Sequence, residues 1–141
     1  MSAWTRPSLV STLVTTLVGT AGLAAAGPYD GSRPFLCAVT TIMECDASGQ
    51  CERQIPDGVN SPAFIRVDVA AKAVSSSGEQ TGGAKNSQLK SVTRLDGELI
   101  LQGSENGRGW SATVDEDTGR MAAAIIDNDY TFSLFGRCVI P

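Results

Sequence analysis

No histidine occurs anywhere in the 141 residues. Its absence excludes Ser-His and Cys-His nucleophile pairs and every histidine-ligated metal hydrolase, leaving carboxylate, lysine or tyrosine chemistry as the catalytic options. No C-x-x-C pair is present either, so the four cysteines suit a zinc site badly. Basic residues are sparse: 11 Lys and Arg stand against 15 Asp and Glu, scattered singly among the acids. Nucleic acid, which is bound by clustered cations, is therefore a disfavoured partner. Large apolar residues are also few, with aromatics at 6% of the chain. A domain built from them has room to leave an interior cavity open.

What is present begins with "MSAWTRPSLVSTLVTTLVGTAGLAAAGPYD", in which Arg6 is the sole charge before an apolar stretch ending at Ala24-Ala25-Ala26. This pattern predicts a secretory signal peptide over 1–26 and a mature chain over 27–141, periplasmic or secreted. Ser11, Thr12, Thr15, Thr16 and Thr20 interrupt the apolar run and no basic stop-transfer cluster follows, which argues against stable membrane insertion after cleavage. Cleavage takes the formal net charge from -4 to -5, since residues 1–26 hold one base and no acid. Mild acidity of this kind keeps an exported protein soluble.

In an oxidising compartment Cys37, Cys45, Cys51 and Cys138 read as a disulfide framework with three possible pairings. Cys45 and Cys51 flank the turn-forming "DASGQ", so their sulfurs can meet across a small loop. Cys37 is then left for Cys138, tying the first strand to the last.

From "FLCAVTTIMEC" onward the chain reads as short strands broken by turns, and no convincing amphipathic helix appears. "CERQI" is placed as the returning arm of the first hairpin, and "PDGVNSPAF" as a loop with a single helical turn after Ser61. "FIRVDV" alternates, with Ile65, Val67 and Val69 on one face. Residues 75–88, "SSSGEQTGGAKNSQ", contain no bulky apolar side chain and are expected to be a flexible loop. "LKSVTRL", "ELILQG", "RGWSATV", "RMAAAII" and "YTFSLF" follow, joined by Asp96-Gly97, Asn106-Gly107 and other short turns. The expected fold is all-β: an antiparallel meander of about seven or eight short strands forming a small disulfide-stapled barrel or sandwich. "AAKAV" and "MAAAII" hold good helix formers and are the places where a helix could replace a strand.

"VDEDTGRM" is the densest cluster of potentially chemical residues. A calcium loop needs Gly at the sixth position and Glu at the twelfth; counting from Asp115, Gly119 is fifth and Ile126 twelfth. The segment is expected to be a hairpin turn with solvated carboxylates, and no metal or other cofactor is assigned. The preferred binding site is "ENGRGW", where Asn106 turns the chain, Arg108 offers a cation, and Trp110 lies one strand period further in. Trp110 shares its face with Ala112 and Val114, so core packing competes with a ligand-contact role.

The stretch "RLDGELILQGSENGRGWSATVDEDTGRM" with the closing "FGRC" resembles a group of small exported bacterial proteins of unknown function. They share a D-G-x-L-x-L-Q-G, N-G-R-x-W-S, D-x-x-T-G-x-M arrangement. The resemblance covers most of the mature chain and implies an exported β-rich domain, with no activity attached. A likeness in architecture alone is to the periplasmic inhibitors of C-type lysozyme, small β-barrels whose first and last strands are joined by a disulfide. Their Ser-Gly turn, Tyr and Lys-Gly loop are not found here, so no site residue is carried over.

Three function classes follow. The first is a non-catalytic binding or inhibitory module of the cell envelope, its partner an envelope protein or small ligand, with contacts at Asn106, Arg108 and Trp110. The second is a small-ligand carrier of the β-barrel type, which a cavity volume would distinguish. The third and least favoured is an enzyme with a carboxylate-based site, because spacing alone assembles no catalytic constellation.

Overall fold

The computed structural model describes residues 26–76 and 86–141. The expected signal segment falls almost wholly outside them. Among the described residues nine strands are present: β1 (Phe35–Asp46), β2 (Cys51–Gln54), β3 (Phe64–Asp68), β4 (Ala73–Ser76), β5 (Asn86–Leu95), β6 (Glu98–Glu105), β7 (Arg108–Asp115), β8 (Arg120–Ile126) and β9 (Tyr130–Val139). Every pairing is antiparallel, and β1 pairs with β9 along its length, closing an eight-stranded barrel of β1 and β3 to β9. β2 stands outside the ring on the far half of β1, where Cys45 faces Cys51.

Closure depends on β1 serving three partners. Its first half pairs Phe35–Ala38 with β3 and its second half pairs Ile42–Cys45 with β2, while β9 takes the other edge throughout. A bulge between Val39 and Thr41 separates the two halves, and such a bulge adds the bend and twist a closing strand needs. Gly136 lies beside it, where a Cβ would run into the carbonyl of Ala38.

Alternation places Phe35, Cys37, Leu99, Leu101, Val114, Met121, Leu134 and Cys138 in the core. One end of the barrel is covered by segment 27–33: Tyr29 packs edge-on against Phe35, and the Tyr29 amide donates to the Glu116 carbonyl at 3.0 Å. Both expected disulfides are formed, Cys37–Cys138 buried across the β1–β9 seam and Cys45–Cys51 across the first hairpin. Among the described residues no helix is long and apolar enough to cross a membrane.

Two expectations are corrected. The helical turn is a 3-10 turn over Pro56–Val59, before Ser61 rather than after it, because Pro56 fixes φ at its first position and Asn60 ends it in the left-handed region at φ 50°. The segment 75–88 is not all loop. Ser75 and Ser76 finish β4, and Asn86, Ser87 and Gln88 begin β5, with Ser75 opposite Asn86 and Val74 opposite Ser87. Sheet pairing is made by the backbone, so a lack of bulky side chains did not prevent it; residues 77–85 lie outside the described residues. The helix that "AAKAV" and "MAAAII" could have formed is not made: residues 70–72 lie in the turn after β3 and Ala73 and Val74 begin β4, while "MAAAII" lies in β8 as the strand reading expects, cross-strand pairing overriding the helix propensity of alanine.

Candidate functional site

The barrel is unevenly filled. Below its middle Leu99, Val114 and Phe35 close it with no more than 1% exposure. Toward the opposite end the inward positions become small: Leu101, Ala112, Ala123 and Leu134 are cross-strand partners in one row, and the two alanines occupy its centre. A cavity of about 220 Å³ opens there, walled by Ile65, Val67, Val74, Trp110, Ile125 and Phe132. Its polar lining consists of Asn60, Ser61, Ser75, Ser76, Ser87, Glu105, Asn106 and Arg108. An eight-stranded barrel is just wide enough for side chains to fill or for one small ligand to occupy. Here alanines stand where leucines would complete the filling.

Trp110 is held by one neighbour on β5 and one on β6. Its Nε1 donates to Ser87 Oγ at 2.9 Å, and its ring lies across Gly103, its cross-strand partner, where a Cβ would come within 2.4 Å of the ring. The indole is thus fixed as a cavity wall. Arg108 is already engaged: its Nε donates to Asp127 Oδ2 at 3.0 Å, and its guanidinium carbon lies 5.8 Å from the centroid of Phe132. The amides of Tyr130 and Asp129, with Arg108 behind them, hold the Asp127 carboxyl below its ordinary value. Asn106 takes φ 50° and Gly107 φ 80°, the two left-handed positions of a tight hairpin turn. All three residues singled out from sequence therefore line the same cavity, although Arg108 is a paired cation rather than a free one.

Ser61, Ser87 and Phe132 were not singled out. Ser61 lies in the connection between the 3-10 turn and β3; it is 8% exposed, and its Oγ has no hydrogen-bond partner among the described residues. Gly103 could have been found by counting back from Asn106-Gly107 through the hairpin to the position opposite Trp110.

The "DEDTG" segment turns the chain, with one correction to its carboxylates. Asp115 Oδ1 accepts from the amide of Thr118 at 2.7 Å, its hydroxyl at 2.8 Å and the amide of Asp117 at 3.2 Å, and Gly119 takes φ 69°. Glu116 is not solvated. It is 6% exposed, and its two oxygens accept from Arg94 Nε at 2.6 Å and Nη2 at 2.8 Å. Those bonds hold its carboxyl below the usual range against the opposing cost of burial. Arg94 reaches it from β5, which sequence spacing does not place beside this turn.

Among the described residues lining the cavity Glu105 is the sole acid. No protein-family model matches the chain and no curated protein matches it, so the functional reading rests on this geometry.

Proposed function

We propose that the protein is an exported β-barrel that binds one small, mainly apolar molecule in its interior without chemical change, acting as a carrier or sensor in the periplasm or outside the cell. The observation that carries this reading is the cavity of about 220 Å³ above the alanine pair. An apolar protein cavity of about 150 Å³ accepts benzene, so this one has the capacity for a somewhat larger monocyclic or short-chain ligand. Trp110 and Phe132 supply aromatic walls, and the hydroxyls and amides of the lining supply the few polar groups that orient a ligand. Two disulfides suit an oxidising compartment. The alternative of a surface that grips an envelope protein through Arg108 is supported less well, because that guanidinium already has Asp127 and Phe132 as partners.

Ala123→Leu tests the reading. Three added carbons occupy the cavity and contribute up to about 2 kcal/mol of stability if they fit without strain. Trp110 is the one tryptophan among the described residues and a cavity wall, so its emission reports ligand entry. Ethylbenzene titrated into the native protein should change that emission saturably; the Ala123→Leu protein, at equal or higher melting temperature, should lose at least about tenfold in affinity. If the native protein takes up neither ethylbenzene nor its alcohol, the reading is wrong.

A further inference from the structure

From the one buried hydroxyl of the cavity lining that has no partner among the described residues we infer the ligand's chemical class: a small neutral molecule with an apolar body and one hydroxyl or carbonyl, whose polar atom hydrogen-bonds to Ser61. The inference rests on the interior-binding reading above. Ser61 is more than nine-tenths buried, lines the cavity, and its Oγ has neither donor nor acceptor among the described residues. A buried polar atom left without a partner is costly, and natural structures rarely keep one without a use. The backbone does not require serine there, since the Ser61 amide donates to the Pro56 carbonyl at 2.9 Å whatever the side chain. A serine hydroxyl both donates and accepts, so a ligand hydroxyl or carbonyl can complete it. A second hydroxyl stands on the same lining: Ser87 Oγ accepts from Trp110 and keeps its own hydrogen to donate.

Charge at the mouth decides against an acid. Among the described residues the lining contains one cation, Arg108, and one anion, Glu105; Asp127 neutralises Arg108 from outside the lining. The balance among these residues is thus negative, and a carboxylate entering the cavity meets no unpaired cation among the described residues. A fatty-acid or other carboxylate ligand is disfavoured against its neutral alcohol or ketone.

Three probes on one skeleton test this: ethylbenzene, 2-phenylethanol and phenylacetate, titrated by calorimetry into native, Ser61→Ala and Ser61→Thr protein with both disulfides formed. Native protein should bind the first two and not phenylacetate. Ser61→Ala should weaken 2-phenylethanol relative to ethylbenzene by about tenfold, the usual consequence of leaving one buried polar atom unpaired, and Ser61→Thr should restore most of the ratio. An unchanged ratio in Ser61→Ala, with both ligands still bound, overturns the role of Ser61 while leaving interior binding intact. Tightest binding of phenylacetate overturns the neutral class. Uptake of none of the three by native protein overturns interior binding itself.

Discussion

Glu116 lies at the covered end of the barrel with its backbone carbonyl bound to the Tyr29 amide and both side-chain oxygens bound to Arg94. A carboxylate this buried is tolerable only because a guanidinium meets it two-pronged. Arg94 is the largest influence holding its pKa below the ordinary 4.5, while the negative charge of nearby Asp30 pushes the other way. The sign of the pH effect follows. A depressed folded pKa means the pair stabilises the fold fully above the unfolded value and loses that contribution as pH falls below about 4.5 toward the folded value. Asp30, Asp46, Asp115 and Asp127 are also lowered and contribute to the same acid slope. Glu116→Gln should therefore reduce the acid slope without abolishing it. Its melting temperature should fall at pH 7 by a few degrees, and the gap from native protein should shrink between pH 5 and 3. A constant gap across that range would mean the carboxylate's charge plays no part.

The β6–β7 hairpin is the element that shapes the cavity. Asn106 and Gly107 make its corner, which sets Gly103 opposite Trp110 and lets the indole lie flat across a backbone without a side chain. Gly103→Ala puts a carbon within 2.4 Å of the ring and 2.8 Å of the Gln88 carbonyl. The ring has to leave Ser87, at a cost of about 1–3 kcal/mol from overpacking. The expected result is a red-shifted, more exposed Trp110 emission and weakened uptake of ethylbenzene; unaltered emission and uptake would show that the ring does not depend on this glycine. This hairpin was legible in the sequence, because Asn-Gly fixes a turn and alternation then assigns Trp110, Ala112 and Val114 inward. Strand pairing between neighbours was legible for the same reason. The departure of β2 from the ring was not, since β1 changes partner at a bulge whose position no composition signal marks. Nor was Ser61: it reaches the cavity only because the 3-10 turn and β3 bring its loop over the open end, a long-range consequence of closure. Glu116 misled for a related reason, as acidic turn residues usually face water and its arginine comes from another strand.

At the scale of the whole molecule, the cavity and the staples are connected. A small barrel that leaves about 220 Å³ unfilled forgoes some of the contacts that would otherwise hold it together, and net stability of domains this size is about 5–15 kcal/mol. The two disulfides do not offset that loss equally. Cys37–Cys138 spans 101 residues and lies buried at the β1–β9 seam, where it joins the two strands whose pairing turns a sheet into a barrel. Cys45–Cys51 spans 6 residues in a hairpin whose second strand is outside the ring. On chain-entropy grounds the long closure contributes about 4.7 kcal/mol and the short one about 2.4. Substituting both cysteines of a pair by alanine leaves no thiol to mispair, so the comparison is between Cys37→Ala/Cys138→Ala and Cys45→Ala/Cys51→Ala. The first protein should lose about twice the stability in denaturant unfolding. Its seam, now held by hydrogen bonds alone, should also exchange amide hydrogens faster along β1 and β9. The second should lose less and keep seam protection and ethylbenzene uptake close to native. Equal losses from the two pairs, or seam amides that stay protected without Cys37–Cys138, would mean that strand pairing alone closes the barrel and that the long disulfide is dispensable to the cavity it surrounds.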